Sequence, residues 1–198
     1  MPALHVGTFL LTDRVHGVST HSYAFYAGTK QQLEAMHSGT KRLVGLQKAD
    51  GTVLKALKSI MPENDATAYM GEIDYLIHSK KDGKTAESWR YYPKATLEGN
   101  GKKAMKNSHP LGAVLELISL KDLQQKGVTH ACTSWSPSPA RRRQLVRCGI
   151  PTFFKAPIGH WILGLERDAQ GKTERISFVK AILREAGVNA QYALGRVA

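Results

Sequence analysis

The chain has 198 residues, 42% of them apolar and 22% charged, with 28 Lys and Arg against 16 Asp and Glu for a formal net charge of +12. Such a composition excludes a disordered chain, and the absence of an apolar run near 18 residues speaks against a membrane span. A charge this far from neutral concerns partners rather than fold, and it predicts a surface that meets something acidic. The start, Met1-Pro2-Ala3-Leu4-His5, lacks the basic-then-apolar pattern of a secretory leader. The only two cysteines, Cys132 and Cys148, have neither zinc-knuckle nor redox-pair spacing, so they read as free core thiols in a reducing, cytoplasmic compartment.

In chain order, Val6–Leu11 and Tyr23–Ala27 are short runs rich in β-branched and aromatic residues and read as strands. Between them lies a polar loop with His16 and His21, which has no third metal ligand at a sensible spacing. A short helix comes next at Lys30–Met36. Leu43–Gln47 and Val53–Leu57 flank Asp50-Gly51, and Ile73–Ser79 and Ser88–Tyr92 flank Asp82-Gly83. Both pairs read as hairpins, because glycine accepts the positive φ of a tight turn.

The second half changes period. Ser108 caps a helix with Pro110 in its first turn, where a missing N–H costs nothing. Leu111, Val114, Leu115 and Ile118 then recur at i, i+3, i+4, i+7 as one buried stripe, and Gly127 ends it. A buried strand, Val128–Trp135, precedes a helix over Ala140–Cys148 that Gly149 closes. Strands at Ile150–Lys155 and Trp161–Glu166 and a last helix at Ser177–Glu185 complete the reading. The expected fold class is α/β (α+β): one domain over residues 1–198, with a mixed, mostly antiparallel sheet and helices on both faces.

The charge is unevenly spread. No carboxylate lies between Asp122 and Glu166, whereas Lys126, Arg141, Arg142, Arg143, Arg147 and Lys155 do. A second basic stretch runs through Lys80, Lys81, Lys84, Arg90, Lys94, Lys102, Lys103 and Lys106. Three consecutive arginines on a helix fan over more than half its circumference, so Arg141, Arg142 and Arg143 form a patch suited to phosphate or carboxylate.

An antiparallel meander and then helix–strand–helix–strand, and above all the run from His109 to Pro157, resembles the GNAT N-acyltransferases, with a flavour of their acyl-homoserine-lactone synthase branch. The segments SHPLGAVLELISLKDLQQKGVTHACTSW and SPARRRQLVRCGIPTFFKAP carry the likeness, which covers about a quarter of the chain. It implies a donor thioester, acyl-CoA or acyl carrier protein, whose phosphates sit on the N-terminus of the central helix. The corresponding loop is Gly99–Ser108, so the resemblance assigns donor binding to Lys102, Lys103, Lys106, Ser108 and Gly112, while the patch of Arg141, Arg142 and Arg143 suits the acidic helix of an acyl carrier protein, coenzyme A phosphates or a nucleic-acid backbone. Of the family's glutamine/arginine-x-x-glycine-x-glycine/alanine motif only Gly112 is kept, a departure that an acyl-carrier donor or a lost activity would each accommodate. The synthase branch's arginine–aromatic–tryptophan and Glu-x-x-Arg patterns are not present, so S-adenosylmethionine is not carried over.

Acylating an amine needs a group to take its proton. Glu72 and Asp74, at i, i+2 on one strand face beside Tyr69, come first and His109 second, with Glu98 and Ser134 near the expected cleft. Trp161 reads as core and no metal is expected. Two other readings stay open: a basic nucleic-acid-binding or nucleic-acid-modifying protein, and a non-catalytic structural protein of the same fold. The acceptor, the acyl length and any oligomer are left open.

Overall fold

The structure is a computed structural model that describes residues 2–14, 20–58, 66–92, 109–133 and 155–169, with positions 139, 143, 145–146 and 148–150 between the last two spans. In chain order the described elements are β1 (Leu4–Leu11), a 3-10 turn (Thr12–Arg14), β2 (Thr20–Thr29), α1 (Lys30–Ala35), β3 (Lys41–Lys48), α2 (Gly51–Lys58), β4 (Ala68–Lys80) and β5 (Gly83–Tyr92). They continue with α3 (His109–Gln125), β6 (Val128–Thr133), β7 (Ala156–Pro157) and α4 (Ile158–Ala169). The strands form one seven-stranded sheet in the order β3-β1-β2-β4-β5-β6-β7. Every described pairing is antiparallel except β5 with β6, which are parallel and joined through α3.

Helices cover both faces, as expected. A Cβ added to Gly7 would meet Leu33 of α1, and one added to Gly45 would collide with Ile118 of α3. Gly45 pairs with Thr8, the neighbour of Gly7, so the two glycines point to opposite sides of the sheet. On the α3 side, Val6, Leu10, Tyr23, Phe25, Ile73 and Tyr75 join the main core with α2, α3 and α4. On the α1 side, Phe9, Leu11, Ala24 and Leu33 are buried in a smaller layer.

Two sequence expectations are corrected. Val53–Leu57 is not a strand but the body of α2: Val53 N and Leu54 N both donate to Asp50 O, closing a helical turn where a hairpin was expected. Val53, Ala56 and Leu57 fall at helical spacing and are buried together, while Lys55 and Lys58 sit near the end of the dipole that favours cations. Gly51 does take positive φ, 53°, but as the first residue of that helix. Likewise, Trp161–Glu166 belongs to α4, because Ile158, Trp161, Ile162 and Leu165 recur at i, i+3, i+4, i+7 and bury one side. Trp161 is core, as its apolar run suggests.

The helix from His109 runs to Gln125, and Gly127 lies just beyond it at φ 81°. Its burial is wider than one stripe, since all positions from Val114 to Leu120 are buried, including Glu116 and Ser119. The sheet lies on one side and α2 and α4 on others, so no long solvent face remains. Helical backbone is present at Arg143, Leu145 and Val146 of the expected Ala140–Cys148 helix and at Pro139 just before it, and Gly149 has φ 72°. The expected helix Ser177–Glu185 and residues 151–154 of the expected strand lie outside the described residues.

Candidate functional site

Glu72 and Asp74 are half-buried on β4, in register with Ala24 and Ser22 of β2 on one side and with Tyr92 and Arg90 of β5 on the other. Their neighbours Ile73 and Tyr75 face α3, so the two carboxylates share the α1 side of the sheet, away from the helix that His109 opens. Glu72 lines a cavity of about 280 Å³ at the end of β1, β2 and β4. Ala24, directly opposite, has no side chain beyond Cβ to fill the space.

Two irregularities shape this wall. Between Phe25 and Tyr26 the β2–β4 register slips, Met70 is the extra residue, and Gly71 takes φ 137° beside it. The slip leaves Tyr69 opposite Tyr26, and their rings lie 5.3 Å apart at 59° in the cavity wall. Phe9 meets the Tyr26 ring edge-on, at 5.6 Å and 89°. Lys41 Nζ donates to Tyr26 Oη at 3.1 Å, and its 5.0 Å distance from the ring centre is a consequence of that hydrogen bond. Asp13 completes the polar lining. The cavity's rim is tied by Thr12 N donating to Thr40 O at 3.0 Å and Thr12 Oγ1 donating to Gly39 O at 2.8 Å.

The second irregularity lies one strand over. Asp74 pairs with Arg90 and Tyr75 with Ser88, making Trp89 an extra residue in β5. The last described β5–β6 pair is Ser88 with Thr133, and β5 bulges immediately past that point before running on to Tyr92. A bulge bends its strand and increases local twist. Among the described residues nothing pairs with 89–92 on the β6 side.

A separate polar cluster sits on the other face. Tyr23 Oη donates to Asp122 Oδ2 at 2.6 Å, and Lys126 pairs with the same carboxylate oxygen. Ser119 Oγ donates to Glu116 O at 2.8 Å, which leaves Tyr75 Oη to donate to Ser119 Oγ at 2.8 Å. Burial, the Asp122 hydrogen bond and its charge hold the Tyr23 phenol above the ordinary range. His21 is pushed below its usual value, by burial first and by Lys126 second, and its Nδ1 is buried with no hydrogen-bond partner among the described residues.

Of the other expected site residues, His109 begins α3 and Gly112 lies in its first turn, while Arg143 is exposed. Lys102, Lys103, Lys106, Ser108, Arg141 and Arg142 lie outside the described residues, as do His16, Glu98, Ser134 and Arg147. Among the described residues no group of three or more His, Cys, Asp or Glu could hold a metal, and no helix is long and apolar enough to cross a membrane. Sequence reading missed Asp13, Tyr26 and Lys41. Only Tyr26 carried a signal, since it alternates with Ala24 on the face opposite Phe25. No family model, no curated protein and no solved structure matches the chain.

Proposed function

We propose that the chain is a GNAT-like N-acyltransferase that moves an acyl group from a thioester carrier, acyl-CoA or acyl carrier protein, to an amine. The observation that supports it most is the parallel β5–β6 pair in an otherwise antiparallel sheet, with β5 bulged at Trp89 just past the last described pair, Ser88 with Thr133. A bulge leaves its extra residue out of the ladder, with backbone N–H and C=O groups that an extended ligand can pair with. The cavity at Glu72 opens one strand away and supplies a carboxylate and phenols at the same level of the sheet.

In this reading Glu72 takes a proton from the incoming ammonium, and the freed amine attacks the thioester carbonyl carbon. The C–N bond forms, the C–S bond breaks, and the sulfur leaves as thiol with the second amine proton. General-base assistance of this kind contributes roughly 10²–10⁴-fold. Asp74 and His109 stay the alternative proton acceptors, the Lys102–Lys106 loop keeps the donor-binding role the resemblance implies, and the Arg141–Arg143 patch docks the carrier.

Thermal unfolding with acetyl-CoA, longer acyl-CoAs and acyl carrier protein tests the reading. A donor that binds only the folded chain raises the midpoint with concentration. No shift with any donor at saturation would overturn it.

One observation favours a second reading, a nucleic-acid-binding protein. Lys80, Lys81 and Lys84 project exposed from the β4–β5 turn and make no ion pair among the described residues, while Asp82 between them is taken by Lys155. Affinity for duplex DNA or RNA that falls steeply with salt, and falls further on charge reversal of these lysines, would support it.

A further inference from the structure

At one end of the sheet β4 and β5 run on as a hairpin tip. Among the described residues β2 pairs with β4 no further than Leu76, and β6 begins at Val128, opposite Lys84. Beyond those points Lys80 pairs with Gly83 across the two-residue turn Lys81-Asp82, and Ser79 with Lys84. Lys80, Lys81 and Lys84 are all exposed. The tip is braced from behind: Thr129 Oγ1 donates to Lys84 O at 3.1 Å and Lys155 pairs with Asp82. Gly83, at φ 122°, lies so close to Thr129 that a Cβ there would collide with it.

The three ammonium groups leave this ribbon in different directions, because side chains alternate across a strand. Lys84 shares the α3 side with Ala86, whereas Lys80 shares the other side with His78. The charges felt by their neighbours agree. His21, lowered mainly by burial, also feels Lys126 and Lys84 from the α3 side. Cys132, raised by burial and by Glu87, is pulled back by Lys80 from the other side. Lys81 stands at the tip between them. Two carboxylates at this end, Asp82 and Asp122, already have lysines of their own, Lys155 and Lys126, so neither cancels the three.

A flat acidic surface meets only one side of such a ribbon. The major groove of B-form DNA has phosphates along both walls and, at about 12 Å wide, admits a two-stranded β-ribbon. We infer that the β4–β5 tip inserts into the major groove of duplex DNA, with Lys80 and Lys84 on the phosphates of opposite walls and Lys81 ahead of them. The inference rests on the nucleic-acid reading and narrows it to a partner and a mode. Lysines that contact phosphates fix position without reading sequence, so the contact is sequence-independent. β6 follows α3 directly, which puts the tip at the far end of that 17-residue helix from His109, about 25 Å away. DNA held there leaves the end of the helix assigned to the acyl donor free.

The experiment is fluorescence anisotropy of the full chain with a short labelled DNA duplex of mixed sequence. Affinity should fall steeply as salt rises from about 50 to 200 mM, and the slope of log K against log salt should flatten by about 0.9 for each of Lys80→Gln, Lys81→Gln and Lys84→Gln. Each variant is checked for native circular dichroism. One strand of the duplex alone should bind more weakly, as should duplex RNA, whose major groove is too deep and narrow to enter. Equal or tighter binding of either overturns groove insertion, as does competition by polyglutamate that matches unlabelled duplex. DNA binding with an unchanged slope in the triple variant would place the contact elsewhere, sinking this inference and leaving the nucleic-acid reading standing. No DNA binding at about 50 mM salt, where phosphate contacts are strongest, overturns both.

Discussion

The hydroxyl of Tyr23 donates to the carboxylate of Asp122 at 2.6 Å, a buried link between β2 and the last turn of α3 that joins residues 99 apart. Asp122 also pairs with Lys126 one turn on, and Tyr75 packs edge-on against the Tyr23 ring at 5.9 Å. Removing the hydroxyl leaves a buried oxygen of Asp122 with Lys126 alone. Tyr23→Phe should therefore cost about 1.5–3 kcal/mol, the range for hydrogen bonds to charged groups. Urea denaturation should show a lower midpoint at unchanged slope.

His21 lies next to the same cluster, facing Tyr23's neighbour Tyr75 across the ladder, Asp122 on α3, Lys126 just after it, and Lys84 on β5. Its folded-state value lies below the ordinary 6.5, with burial the main cause. In the window below that ordinary value the unfolded chain binds more protons than the folded one, so stability rises with pH there. The contribution is complete above about pH 6.5 and is lost as the pH falls toward the folded-state value. His21→Gln should shrink the stability difference between pH 7.5 and pH 5.5 in urea melts.

Gly45 is required by Ile118. A Cβ at position 45 of β3 would overlap the Ile118 side chain, whose branch at Cβ leaves it few rotamers to escape into. Gly45→Ala should cost about 1–3 kcal/mol through overpacking. Combined with Ile118→Ala the penalty should be smaller than the sum of the single changes, because the double variant removes the collision. Equal additivity would show that β3 and α3 do not meet as described.

Cys132 is half-buried and Cys148 buried, and neither is in a disulfide. Burial, and then the Glu87 carboxylate, push the Cys132 thiol up to about 11. The thiolate is the reactive form, so a disulfide reagent at pH 8 should label the folded chain slowly at this position. In denaturant both thiols should react at the rate of a free cysteine.

Glu72→Gln carries the catalytic prediction. It keeps the size of the side chain and removes the base, so turnover of an amine acceptor should fall roughly 10²–10⁴-fold. Donor-dependent thermal stabilisation should persist, since Glu72 lines a cavity on the α1 side of the sheet, away from α3. Loss of donor binding together with turnover would point instead to a misplaced strand.

Much of the sheet was legible because strand period is local. The alternation in β1 and β2, and the Asp82-Gly83 turn between β4 and β5, placed those strands and their hairpin within a few residues. Asp50-Gly51 shows the limit of the same signal. A two-residue turn motif is compatible with either a strand or a helix after it, and the spacing of Val53, Ala56 and Leu57 was the better guide. The α4 segment failed for the same reason: a short apolar run is ambiguous until the Ile158–Leu165 period is counted. The Glu72–Asp74 pair was readable as one strand face. That Glu72 would meet Tyr26, Lys41 and Asp13 was not, because a register slip at Met70 and strands far apart in sequence bring them to one cavity.

The sequence by itself determined an excess of 12 positive charges, the two free thiols and a mostly antiparallel sheet with a helix from His109 after it, since these depend on composition and on periods within a few residues. Only the tertiary structure decided that α3 is buried at every position from Val114 to Leu120, that Asp122 serves Tyr23, and that Glu72 shares a cavity with Asp13, Tyr26 and Lys41. Each of those depends on which distant surfaces exclude water from one another, and local pattern carries no record of its eventual neighbours.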